Sequence, residues 1–170
     1  MQTLATVVAK TQNRTALGIV HAYAALYPKA KLADLRKVFP NKLCPDSGVG
    51  EILLPYKEAV EYNQKHDMSL YFTKDDEVIT VAKGVKVCLS QIWSKASLEK
   101  FVKNAAKLGI KAADPDKELE CGRCGFSYDI LSKPKGRGCL GWIGLIFVWI
   151  WRIFVVFLVL LGIMNKNKEE

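Results

Sequence analysis

From Cys139 to Met164 the chain runs for 26 residues with one charged side chain among them, Arg152. No water-soluble fold hides a stretch like this easily, so it sets the terms for everything before it. As a helix rising about 1.5 Å per residue it would extend ~39 Å, against a bilayer hydrocarbon core of ~30 Å. That length suits one tilted crossing. Two crossings are excluded, because a break at Arg152 leaves pieces of 13 and 12 residues. The sequence therefore predicts a single C-terminal transmembrane helix over 139–164, followed by a short tail over 165–170.

Residues 1–30 show no apolar stretch followed by a small-residue cleavage site, so the expected topology is tail-anchored. Lys133, Lys135 and Arg137 precede the span and Lys166 and Lys168 follow it, a bias that places the N-terminal part in the cytosol. A mid-span arginine costs roughly 2.5 to 3.5 kcal/mol on insertion scales, which the surrounding Leu, Ile, Val and Phe offset. Arg152 then either meets a carboxylate or carbonyl of a partner, in a homo-oligomer or with a partner membrane subunit, or snorkels to the interface. Trp142, Trp149 and Trp151 read as interfacial or lipid-facing aromatics. Gly141, Gly144 and Gly162 lack the four-residue spacing of a tightly packed helix dimer.

The part in front of the span carries most of the charge. The whole chain of 170 residues has a net charge of +8, and residues 1–110 hold 16 basic against 10 acidic side chains. Such a surface suits nucleic acid, an acidic protein or anionic lipid. Leu17, Val20, Ala24 and Tyr27 predict a helix over 15–27 that stops at Pro28, and Leu32, Leu35, Val38 and Phe39 predict a second over 32–39 that stops at Pro40. After a loop around Pro45-Asp-Ser-Gly48, a helix is expected over 53–65, then short strands at Leu70–Phe72, Val78–Val81 and Val85–Leu89. A last helix over 97–108 is expected, capped by Ser94 or Ser97 and ended by Gly109. The expected fold class is α+β, a small helical domain with a short antiparallel sheet. Its expected limits are 1–112 for a cytosolic recognition domain and 113–138 for a linker carrying a Cys-x-x-Cys knuckle and basic residues.

The first two helices and their short turn also fit a helix-turn-helix, with Lys31, Arg36, Lys37 and Lys42 within reach of phosphates, against the plainer reading of a helical pair with a solvated basic face. A hairpin after a helical pair is the order of a winged helix, so nucleic acid is the alternative partner. Tyr71, Phe72 and Trp93 are candidates for base stacking, although aromatics in strands usually belong to the core.

Four stretches, Thr11–Leu17, Leu32–Pro40, Pro45–Gly48 and Val87–Trp93 with Phe101, resemble an uncharacterised small domain of Bacteroides-type bacterial proteins, over roughly residues 10–110. The resemblance implies a bacterial origin and a recurring module, and carries no catalytic or binding residue with it. With the tail, it implies residence in the bacterial inner membrane.

Cys121-Gly-Arg-Cys124-Gly has the form of one zinc-ribbon knuckle, a turn that lets two thiolates approach one ion. A full ribbon needs a second pair, and only Cys139 follows. Zinc held by Cys121, Cys124 and Cys139, zinc shared between two chains, a distant ligand from His21, His66, Cys44 or Cys88, a redox pair and a plain glycine-rich turn all remain open. Neither histidine has a local triad partner and no nucleotide-binding or metal-hydrolase signature occurs, so a non-enzyme is expected. The function expected is a membrane-anchored interaction or sensor module. Its sharper form is an oligomerising effector of a defence or toxin system, and its alternative is a membrane-tethered nucleic-acid-binding regulator.

Overall fold

Ala5-Thr-Val-Val-Ala9 forms β1, with Ala5, Val7, Val8 and Ala9 buried, and the rest of the domain is assembled around it. A computed structural model of the chain describes residues 2–113, 121–122 and 124–134. Contacts divide the chain into two units, Met1–Lys133 and Pro134–Glu170, and the description concerns the first.

β1 is the centre of a three-stranded sheet. It runs parallel to β5 (Ile110–Ala112), with Ala5 opposite Ile110, and antiparallel to β6 (Phe126–Ile130), with Ala9 opposite Phe126 and Ala5 opposite Ile130. Val7, Val8 and Ala9 are all buried, so both faces of this central strand are covered, which accounts for the unbroken Val-Val-Ala run. The chain then turns into α1 (Gln12–Leu26), whose Leu17, Ile19, Val20 and Leu26 are buried. Gly18 lets α1 lie close to the sheet: a Cβ there would sit 2.6 Å from Val7 Cγ1 and 3.0 Å from Phe126 Cδ2.

Pro28 prevents α1 from continuing, and a short turn leads to α2 (Leu32–Val38), where Asp34 Oδ2 accepts the Lys31 N–H at 3.0 Å. Two 3₁₀ turns, Asn41–Leu43 and Pro45–Ser47, carry the chain to β2 (Leu53–Pro55), followed at once by α3 (Tyr56–His66). β3 (Ile79–Val81) and β4 (Val85–Leu89) complete a second sheet of order β2-β4-β3, all antiparallel. α4 (Lys95–Ala106) begins where Ser94 Oγ accepts the Ser97 N–H at 3.1 Å, and packs on α1 and β5.

The main core runs between the sheets and helices. Its largest members include Leu17, Ile19, Leu35, Phe39, Phe72 and Phe101, with Phe39 stacked on Phe101 at 4.8 Å and Trp93 edge-on to Phe101 at 4.7 Å. A smaller cluster of Ala59, Tyr71, Val78 and Cys88 lies with α3. There Asn63 holds the following loop, its Oδ1 accepting from the N–H groups of Leu70 and Tyr71 and its Nδ2 donating to Tyr71 O.

The expected α+β class is observed, with four helices in the described residues and two small sheets, one of them mixed rather than antiparallel. The helix expected over 53–65 starts three residues later, because Leu53–Pro55 pairs with β4 and Pro55 then opens the helix. The strand expected at Leu70–Phe72 reduces to one bridge, Tyr71 to Ser90. The folded unit also runs past 112: β6 comes from the segment read as linker and pairs with all five residues of β1. Tyr71 and Phe72 are fully buried and Trp93 is 9% exposed with its indole N–H on Ser90 O, so these aromatics belong to the core, as aromatics in strands usually do, and are not placed to stack bases. Among the described residues no helix is long and apolar enough to cross a membrane. The span over 139–164, with Cys139, Trp142, Trp149, Trp151 and Arg152, and also Lys135 and Arg137, lies outside the described residues.

Candidate functional site

Where α1 stops at Pro28 and α2 begins, the two helices leave a groove of about 570 Å³. Its apolar wall is made by Tyr23, Leu26, Tyr27, Pro28 and Val38. The aromatic part is rigid: Tyr27 leans on Tyr23 at 4.6 Å, and Tyr23 meets Phe39 edge-on at 5.3 Å. Burial, and then the neighbouring Tyr27 and Asp34, push the Tyr23 phenol above its ordinary pKa, so it stays a protonated hydrogen-bond donor. The groove is shallow and open to solvent, and its lining is mostly apolar.

The rim is charged. Lys29 and Lys37 border the groove and are exposed, and among the described residues neither makes an ion pair. Asp34 also borders it, with one carboxylate oxygen committed to the Lys31 N–H. An apolar floor beside two ammonium groups and a single carboxylate fits an amphipathic ligand of net negative charge. Lys37 is thus the one residue of the predicted basic set that lines the groove. Lys31 is exposed and lines a different, 320 Å³ depression with Val81 and Val85, and Lys42 is exposed on a 3₁₀ turn.

Arg36 has another task. Its Nη2 and Nε donate to Leu53 O at 2.9 and 3.3 Å, and Nε lies 3.1 Å from Glu51 Oε2. The guanidinium thus ties α2 to β2, which sets Arg36 apart from the lysines of the predicted basic set. α2 is also only seven residues, about two turns, and offers little length for a groove-reading helix.

The second place with chemistry is the cysteine knuckle at the start of β6. Gly125 N–H donates to Gly122 O at 2.8 Å, Gly122 N–H to Phe126 O at 3.2 Å and Lys10 N–H to Gly125 O at 3.0 Å, closing a tight turn in which Gly125 has φ +73°. Cys121 and Cys124 are free thiols, both partly exposed. Cys124 Sγ donates to the Asp76 carbonyl at 3.1 Å and lies 3.4 Å from Asp76 Oδ2. Burial, followed by the Asp76 hydrogen bond and charge, raises the Cys124 pKa, so it rests as a thiol and not as an activated nucleophile.

Asp76 is held in place by its neighbour. Glu77 is almost wholly buried and pairs with Arg14 Nη1 at 2.7 Å, while the Arg14 guanidinium covers the Phe72 ring at 4.7 Å. His21 Nε2 lies 3.2 Å from Glu77 O, and its ring lies 5.0 Å from that of Phe126. In the sequence Asp75-Asp-Glu77 reads as an acidic hairpin turn, with cation binding as the lesser alternative. Nothing local signals that Arg14, 63 residues earlier, will bury one of its carboxylates.

The distant ligand candidates are spent elsewhere. Cys44 is buried with Sγ on Ile92 O, Cys88 is buried with its thiol pushed up to about 12, chiefly by desolvation, and His66 Nδ1 is bonded to Tyr62 O at 2.8 Å. Both histidines are therefore satisfied by backbone carbonyls, and neither is hydrogen-bonded to a nucleophile or carboxylate among the described residues. Lys133 is exposed at the end of the described chain. Comparison of the chain with protein-family models, with curated proteins and with solved structures returned no match.

Proposed function

We propose that the chain is a membrane-anchored binding module whose α1–α2 groove takes an acidic segment of a partner protein through one or two of its apolar side chains. The observation that carries this reading is the aromatic floor of the groove set between Lys29 and Lys37, two cations without a described counter-ion. Rigid Tyr and aliphatic walls supply contact area at low entropic cost, and the lysines select for negative charge. The apolar run over 139–164 holds the module in the bacterial inner membrane as a single span, with the binding domain in the cytosol. Arg152 is then the group that favours a homo-oligomer or a partner subunit, since a buried carboxylate or carbonyl repays part of its insertion cost. Capture of partners by several such chains would gather these polar centres in one patch of membrane, which is how a defence or toxin effector of this design would act.

The test uses the full chain in phospholipid vesicles and a fluorescent helical model peptide with Leu and Glu at i, i+3 and i+4, beside its Leu and Lys counterpart. The acidic peptide is expected to bind, and the double variant Lys29→Glu/Lys37→Glu to weaken it about tenfold or more, in line with loss of two charge contacts at a desolvated rim. Equal binding of both peptides, or an unaffected double variant, overturns the reading. Duplex DNA binding that falls steeply with salt and requires Lys31 and Lys42 would transfer the assignment to the nucleic-acid alternative. For the anchor, the full chain should resist alkaline extraction from membranes and a chain ending at Pro134 should be released. Release of both removes the membrane part of the proposal.

A further inference from the structure

We propose that Cys121, Cys124 and Asp76 form a site for a thiophilic divalent cation, with zinc the best chemical match. The first support is a distance. In a tetrahedral zinc site with Zn–S of about 2.3 Å and Zn–O of about 2.0 to 2.2 Å, a sulfur and an oxygen ligand lie roughly 3.5 to 3.7 Å apart. Cys124 Sγ and Asp76 Oδ2 lie 3.4 Å apart, so one edge of the tetrahedron is already set at nearly the separation a shared metal requires.

Support also comes from how both donors are held. The knuckle is closed by the Gly122–Gly125 hydrogen bond and tied to the domain through Lys10 and the β1–β6 pairing. The carboxylate stands on the Lys74–Glu77 turn, where Glu77 N–H donates to Lys74 O at 2.9 Å and the Glu77 side chain is pinned by Arg14. Two donors thus stand on separately braced backbone segments and already lie side by side. Arg14 is the nearby charge that would oppose a cation, and its partner Glu77 offsets it at 2.7 Å.

The third donor needs one movement. Among the described residues no three such groups already enclose a common point, so the side chain of Cys121, partly exposed at the other end of the Cys-x-x-Cys motif, must rotate toward the Cys124–Asp76 edge. Binding then exchanges protons for metal: each of the two thiols releases one proton to solvent, and the Cys124 S–H···O contact with Asp76 is replaced by S–M–O. Water takes the fourth position. The zinc set read from sequence, Cys121, Cys124 and Cys139, differs in its third member, and the structure points to Asp76, which is 48 residues from Cys124 in the chain.

The experiment uses the full-length chain in detergent micelles, reduced and stripped of metal, titrated with cobalt(II) alone and then with zinc. One cobalt per chain is expected, with thiolate-to-metal charge transfer and tetrahedral ligand-field absorption, both lost on adding zinc. Asp76→Asn should weaken cobalt binding about tenfold or more while leaving thermal unfolding of the metal-free protein unchanged, because Asp76 is exposed. Cys124→Ser should remove most of the charge-transfer band, and Cys139→Ser should change neither. Half a cobalt per chain with a four-thiolate spectrum, a requirement for Cys139 in place of Asp76, or no charge-transfer band at all would each overturn the proposal.

Discussion

Replacing Phe126 with alanine tests whether the knuckle segment belongs to the folded domain. Phe126 is 7% exposed, pairs with Ala9 at the end of the β1–β6 ladder, lies against Gly18 and stands 5.0 Å from the His21 ring. Truncating a buried Phe costs about 3 to 5 kcal/mol, the sum of lost transfer energy and the cavity left behind. Here the cavity opens over a glycine, which has no side chain to collapse into it, so about 3 to 4 kcal/mol is expected. Out of the ~5 to 15 kcal/mol that holds a typical domain together this is a large share, and it corresponds to a fall in melting temperature of roughly 10 °C for a unit of this size. Ile130, in the same strand but 43% exposed, serves as the control, and Ile130→Ala should change stability by no more than about 1 kcal/mol. Urea unfolding of a chain ending at Pro134, followed by tryptophan fluorescence from Trp93, reads both variants. A Phe126→Ala midpoint indistinguishable from that of Ile130→Ala would show that β6 contributes nothing and that the domain ends near residue 112.

Two other perturbations probe the same neighbourhood. Gly18→Ala would normally gain about 1 kcal/mol in a helix interior, but a methyl starting 2.6 Å from Val7 Cγ1 and 3.0 Å from Phe126 Cδ2 costs about 1 to 3 kcal/mol in overpacking, so the variant should unfold at lower urea, and Val7→Ala should cost less in its background than alone. Burial holds the His21 pKa below its ordinary 6.5, with the Glu77 carbonyl contact pulling more weakly the other way. On acidification the unfolded chain therefore takes up that proton first, so the His21 contribution is complete above about pH 6.5 and is lost as pH falls through the lowered folded value; His21→Gln should flatten that part of the stability–pH curve, and identical curves would refute the assignment.

What could be read from the chain follows the range of the interactions. α1 and α4 carry their own signals, an apolar stripe from Leu17 to Tyr27 ended by Pro28 and a serine cap before Leu98, because helical contacts are local and recur within four residues. The strands β2 and β5 have three residues each, too few to show a period of two, and exist because a partner far along the chain completes them: Leu53 meets Leu89, and Ala5 meets Ile110. The same holds for the site residues. Arg36 sits on a basic helix face by sequence, and only the approach of β2 puts the Leu53 carbonyl within its reach. The two thiols of the knuckle were legible because they stand at the fixed short spacing of a Cys-x-x-Cys turn. The acidic run Asp75-Asp-Glu77 was visible too, as a turn able to hold a cation, but the place of Asp76 beside Cys124 depends on two pieces of tertiary structure, the β1–β6 register that fixes the knuckle at the end of the sheet and the Arg14–Glu77 pair that fixes the opposite turn. A carboxylate brought to a thiol by two independent long-range constraints has no pattern in the sequence to announce that pairing, which follows from the fold and not from the motif.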